Sequence, residues 1–161
     1  MPITMGVKIE GLNTLHEKMK KWPALQKKHV RKGIGKVGQQ MVREWKISVS
    51  GPRGPRKVAP RSGDMRRRIS ARFVPGHYAA VDVGMGVPYG PVHEFGFDGI
   101  VNVRAHTREG SSVRAHSRHM RMPKRPHMRP AVRATQKRMP TILRNQYRDF
   151  LRELNRIRRP D

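Results

Sequence analysis

Apolar residues recur along the first fifty positions at spacings of three and four. Leu12, Leu15, Met19 and Trp22, with Ile9 ahead of them, fall on one face and predict a helix over about 12–21. Asn13 or Thr14 is placed to cap it, and Pro23 to stop it or open the next. Val30, Ile34, Val37, Met41, Trp45 and Val49 then stripe a second helix over about 24–49, with Lys and Arg on the opposite face. Gly33, Gly35 and Gly38 each weaken that helix by about 1 kcal/mol relative to Ala, or let another backbone approach closely.

The pattern changes after Val49. Residues 50–63 are rich in Gly, Pro and Arg and cannot form a regular element, so they read as a basic loop or disordered arm. Alternation over 68–74 predicts a strand, Pro75-Gly76 a turn, and His77–Met85 the antiparallel partner. Tyr89-Gly-Pro-Val-His-Glu-Phe-Gly96 reads as a short helix or turn. Residues 100–108 and 112–119 contain a near-copy, Val-Arg-Ala-His-Thr-Arg against Val-Arg-Ala-His-Ser-Arg, with Glu109-Gly110 between them as a hairpin loop. Period-two geometry would put Arg104, His106 and Arg108 on one face, and Arg114, His116 and Arg118 likewise. A last helix follows Pro130 over about 131–158, striped by Val132, Met139, Ile142, Leu143, Phe150, Leu151, Leu154 and Ile157, with Pro140 predicted to kink or restart it. The fold class is therefore α+β: N-terminal helices and a C-terminal helix packed on a small antiparallel sheet with a protruding β-hairpin.

At 161 residues the chain fits one domain over 1–161 with a modest core. No stretch approaches 18 apolar residues and no basic-then-apolar leader precedes the first helix, so a soluble, unexported chain without a membrane partner is expected. Zero Cys excludes a disulfide framework, a thiolate zinc site and a Cys nucleophile. Charge alters the picture most. The 36 Lys and Arg against 11 Asp and Glu give +25, an excess that calls for a polyanion or an acidic partner. From Gly99 to Arg148 Glu109 is the only acid.

Chemistry is harder to find. His93 and Glu94 are sequence neighbours without a His-Glu-x-x-His spacing, and no Gly-x-Ser-x-Gly, Walker-type loop or paired-carboxylate nuclease pattern occurs. A metal site from His106, His116 and His119 would need ordered neutral imidazoles among several Arg. No enzyme and no cofactor is expected. The basic residues are spread over every segment and aromatics are few, which fits phosphate contact better than base reading. Glu94, a carboxylate in a very basic chain, is expected to pin the basic loop or a neighbouring subunit. Tyr89, Phe95 and Phe97 are expected to anchor the core.

Three segments, Ala59-Pro-Arg-Ser-Gly-Asp-Met-Arg66, Tyr89 to Gly96, and Met122-Pro-Lys-Arg-Pro-His-Met-Arg-Pro-Ala-Val132, stand in an order that resembles the tail-completion (neck) proteins of long-tailed bacteriophages, the family that includes the lambda-type minor tail protein Z. The resemblance covers about Gly11 to Leu154, with His127 where the family has Phe, Ser62 where it has Thr, and Met65 where it has Leu. Pro60, Gly63, Tyr89, Glu94, Phe95, Gly96, Pro123, Arg125, Pro126, Arg129 and Pro130 are the positions that carry it. It implies a virion structural protein, made in the host cytoplasm, that assembles as a ring of typically six copies in the neck. Its neighbours there are head-closure and tail-terminator proteins, and genomic double-stranded DNA passes through the lumen. On that reading loop 50–63 and hairpin 100–119 project from the core, and Arg53, Arg56, Lys57, Arg61, Arg104, Arg108, Arg114 and Arg118 face the DNA channel or another subunit. A sequence-neutral nucleic-acid-binding protein of ribosomal or nucleoid type is the alternative.

Overall fold

A computed structural model describes residues 11–50 and 63–157. In chain order these form α1 (Leu12–Val49), α2 (Asp64–Arg67), β1 (Ile69–Phe73), β2 (Val81–Met85), α3 (Gly90–Phe95), β3 (Phe97–Val103), β4 (His106–Arg108), β5 (Ser111–Val113), β6 (His116–Met122) and α4 (Met128–Asn155). The fold is α+β, with a helix at each end and antiparallel strand pairs between them. None of the helices in the described residues is long and apolar enough to cross a membrane.

The two expected N-terminal helices are one. Pro23 lies inside α1, although proline removes a helical N–H and costs about 3 kcal/mol. Contacts on both sides of it hold the rod together. Trp22 meets Phe150 of α4 edge-on at 5.1 Å, and His29 meets the same ring at 5.7 Å. Nor do Asn13 or Thr14 cap α1. Its N-cap is Gly11 at φ 88°, where no side chain supplies a bond. Pro140 likewise stays within a continuous α4, which begins three residues before the expected start at Ala131.

α1 packs along α4 and across the β1–β2 pair. Its glycines receive side chains, where a neighbouring backbone had been the alternative. The Phe73 ring lies 3.0 Å from where a Cβ on Gly35 would be, and Val81 Cγ1 lies 2.6 Å from that position on Gly38. Gly33 meets Leu143 and Gln146 of α4. The principal core forms from Trp45, Val49, Ile69 and Ala131, with Met41, Val42, Val83, Met85 and Met128 packed around it. Met65 and Val87 form a smaller cluster that also touches Met85. Fully burying side chains such as Val49 and Ile69 contributes about 1.5–3 kcal/mol each.

β1 and β2 pair from Ile69↔Met85 to Phe73↔Val81, so the second strand starts four residues later than His77. The intervening chain turns through Gly76 at φ 76°. The hairpin starts earlier than expected. β3 pairs with β6 from Phe97↔Met122 to Val103↔His116, and β4 pairs with β5 from His106↔Val113 to Arg108↔Ser111, in one continuous register. The ladder lapses at Arg104-Ala105 and Arg114-Ala115, so the unbroken period-two face expected for the arginines is interrupted there. Glu109 (φ 51°) and Gly110 (φ 81°) close the tip, both in the left-handed region that a two-residue type I′ turn requires.

Candidate functional site

The segments flanking the hairpin in sequence meet at its base. Tyr89 is the N-cap of α3, Pro91 sits in the first turn where its missing N–H costs nothing, and Gly96 ends the helix at φ 77°. A Cβ on Gly96 would stand 2.9 Å from Lys124 Cγ and 3.0 Å from the Met122 carbonyl oxygen, so only glycine lets the two segments close on one another. The Arg125 N–H donates to the His93 carbonyl at 2.7 Å.

Glu94 completes the junction. The backbone N–H groups of His127 and Met128 donate to its Oε2 at 2.7 and 2.8 Å, and that of Arg129 to Oε1 at 3.3 Å. The next residue is Pro130, which has no N–H. The unpaired donors of the first turn of α4 are thus all accounted for by one carboxylate brought in from another helix. The helix dipole adds a favourable field at the same end. Burial would raise the Glu94 pKa. The three N–H bonds, that of Met128 first, outweigh burial and hold it below the ordinary value of 4.5. Among the described residues, the partners of Glu94 are thus backbone amides at the start of α4, while the basic loop that was its expected partner lies outside those residues.

Behind Glu94 lies His127, 2% exposed. The Trp45 indole N–H donates to its Nδ1 at 2.7 Å, and the two rings stack at 5.8 Å. An imidazole nitrogen that accepts has no proton, so His127 is neutral and its 3.6 Å approach to Glu94 through Nδ1 is not an ion pair. Burial pushes its pKa down, against the opposing pull of Glu94 and the Gly90 backbone. The other ring nitrogen, Nε2, carries the proton and has no hydrogen-bond partner among the described residues. His93 is also pushed down, first by burial and then by the Arg125 charge.

The aromatic residues of this junction differ from expectation. Tyr89 is 40% exposed and Phe95 55%, so neither anchors the core. They lie on the outer side of a helix only six residues long, whose inner side is spent on Gly90 and Glu94. Phe97 is half-buried and lays its ring over Gly99. Ile100 on β3 is 73% exposed. On α1 the predicted stripe is present, with Leu12, Leu15 and Met19 exposed and Trp22 partly covered by Phe150. It runs into a cavity of about 390 Å³ between α1 and α4, lined by Trp22, Val30, Ile34, Leu143, Tyr147 and Phe150 among others.

Of the predicted basic contacts, Arg53, Arg56, Lys57 and Arg61 lie outside the described residues, as does Pro60. Gly63 is the N-cap of α2 at φ 74°. Arg104, Arg108, Arg114 and Arg118 all lie on the hairpin and are all exposed. Every residue from Arg104 to Ser112 is exposed, so neither side of the outer ribbon is covered. Its acids are few. Glu109 approaches Arg108 at 4.0 Å, and Asp98 near the base pairs with His119 at 2.9 Å and Arg121 at 3.6 Å. In the second flanking segment Pro123, Pro126, Arg129 and Pro130 are exposed and Arg125 is half-buried. Among the described residues no group of three His, Asp or Glu side chains is placed to hold a metal ion.

A second polar cluster escaped the sequence reading. Buried His29 joins Glu153 through Nε2 at 2.8 Å and Gln146 through Nδ1 at 2.7 Å, and Lys28 donates to Glu153 at 2.6 Å. The Lys28 and His29 bonds hold the Glu153 pKa below its ordinary value. His29 sits about one turn before Gly33, the glycine that receives Leu143 and Gln146 of α4, which is the one signal the sequence offers. Comparison with protein-family models, with characterised proteins and with solved structures gives no match.

Proposed function

We propose that this chain is a structural protein of the phage neck, built as a ring between head-closure and tail-terminator proteins around the path of the DNA. One observation carries the reading: the Glu94 clasp. The two segments that resemble the tail-completion family most closely are joined through it into one rigid unit at the base of a basic hairpin. They act as a bracket, which suits a part whose task is to present surfaces to neighbours.

Two further features support it. Large apolar side chains are exposed in different parts of the described residues, among them Tyr89, Phe95 and Ile100 in and after α3 and Leu12, Leu15 and Met19 at the start of α1. Dissimilar patches on one subunit favour head-to-tail contacts, which close into rings when the rotation permits. The net charge of +25 would oppose close packing of copies without an anion in their midst, and duplex DNA in the lumen supplies one. The direct test is electron microscopy of particles assembled without this protein. Filled heads separate from finished tails are the expected result, and normally joined particles would refute the proposal.

A further inference from the structure

We propose that the outer face of α4 is the surface that meets duplex DNA, holding its phosphate backbone through Arg133, Lys137, Arg144, Arg148 and Arg152. The proposal deepens the reading of this chain as one built around the path of DNA, and rests on it.

The face follows from the helical period. At about 100° per residue, these five cations fall within about 100° of arc. The buried residues of the helix, among them Thr135, Gln146 and Phe150, lie on the opposite side. All five cations are exposed. The acids of α4 are Asp149 and Glu153, and both lie off the arc. Glu153 is taken up by Lys28 and His29 of α1, and Asp149 approaches Arg152 at 3.6 Å. Among the described residues, no carboxylate pairs with Arg133, Lys137, Arg144 or Arg148. Several cations elsewhere are engaged. On α1, Lys21 stands 3.8 Å from Glu17, Lys28 bonds Glu153, Lys27 lies over the Tyr78 ring and Arg31 over that of Phe73. On the hairpin, Arg108 approaches Glu109 and Arg121 approaches Asp98.

The kind of anion follows from what else the face carries. Protein interfaces centre on buried apolar or aromatic anchors within a polar rim. The large exposed apolar residues of α4, Met139, Leu143 and Tyr147, all fall outside the arc. A row of charge without such an anchor suits phosphates better than an acidic protein surface. α1 supports α4 from behind, with Trp22 against Phe150 and Gly33 against Leu143 and Gln146, so the row has a firm backing. From Arg133 to Arg152 it runs about 28 Å at 1.5 Å per residue. Duplex DNA carries one phosphate charge per 1.7 Å or so of its axis, so about 16 lie along that length. Phosphate contacts of this kind carry no sequence information, and they tolerate movement of the duplex past the helix.

The test is binding of the full-length protein to duplex DNA of about 20 base pairs across a range of salt concentrations. R133Q/R144Q/R148Q on α4 and R104Q/R114Q/R118Q on the hairpin each remove three exposed charges, so they share any effect of net charge alone. The α4 variant should lower the slope of log affinity against log salt by about 2.7, at 0.9 per phosphate, and the hairpin variant by less than about 1. R133K/R144K/R148K should keep the parent slope, and AT-rich and GC-rich duplexes should bind alike. Failure of the parent to bind DNA at about 50 mM salt would overturn the proposal and leave the face to an acidic protein. It is also overturned if the hairpin variant loses as much slope as the α4 variant, if the lysine variant loses it too, or if the two duplexes bind unequally. Circular dichroism shows whether each variant folds. R144Q alone, expected to lower the slope by about 1, carries the test should the triple variant not fold. None of these readouts requires a virion, so this contact and the neck role fail independently.

Discussion

Replacing Glu94 by Gln keeps the shape of the side chain and removes its charge. The carboxylate accepts three backbone N–H bonds at a site only 6% exposed, so water cannot readily take its place. A hydrogen bond to a charged group contributes about 1.5–3 kcal/mol, and the contact at 3.3 Å is weaker than the other two. Gln retains one acceptor but points an amide N–H₂ at a donor, for an expected loss of about 2 kcal/mol. Ala leaves all three donors without a partner, for a loss of about 3–4 kcal/mol. In a chain of this size each kcal/mol lowers Tm by about 2–4 °C, so E94Q should melt about 4–8 °C below the parent and E94A lower still. Urea titration at neutral pH, followed by circular dichroism, measures both losses. Acid provides a second readout. Because the folded-state pKa is depressed, the contribution of Glu94 is complete above the unfolded value near 4.5 and disappears as pH falls through the folded value. The gap between parent and E94Q should therefore close below pH 4.5. A gap under about 0.5 kcal/mol at neutral pH, or one that persists unchanged into strong acid, would refute the assignment of Glu94 as the cap of α4.

Three further predictions follow from the packing. G38A should destabilise by about 1–2 kcal/mol despite the better helix propensity of Ala, because its Cβ would fall 2.6 Å from Val81 Cγ1, and V81A in the same chain should relieve the clash; additive losses in a double-mutant cycle would contradict this. Buried His127 has a depressed pKa, so the parent should lose stability as pH falls below 6.5 until the folded value is passed, and H127F should flatten that part of the profile while leaving the Trp45 N–H unpaired, which denaturation at a series of pH values measures. E109N or E109G should stabilise the ribbon by about 1 kcal/mol by relieving a non-glycine residue at φ 51°, seen as slower amide exchange in the flanking strands.

Elements with a strong period were legible in the sequence. The α1 stripe from Val30 to Val49 reaches the core at Trp45 and Val49, and the α4 stripe from Val132 to Ile157 is buried at Phe150 and Leu154 while Met139 and Leu143 stay exposed; the Glu109-Gly110 turn with its repeated flanks predicted the hairpin. Pro23 was misread because a local rule was applied where Trp22 and His29 hold α1 against Phe150 from a distance in sequence. The Glu94 clasp was hidden for a related reason. Its partners are backbone amides 33 to 35 residues away, which no side-chain spacing reveals. One hint existed. Position 127, ahead of a proline-bearing first turn, holds no Ser, Thr, Asp or Asn, and a helix without its own cap needs one from elsewhere. The exposure of Tyr89 and Phe95 was invisible because composition does not distinguish an aromatic residue turned inward from one left for a neighbour.

The constant register of the ribbon has a consequence for how such a molecule can vary. Each pair removed from or added to the hairpin changes its length by one strand step and leaves every remaining pairing intact. The clasp at the base holds both ends of the ribbon in place whatever its length. How far the protein extends from its own body is therefore an adjustable dimension, separate from the stability of that body.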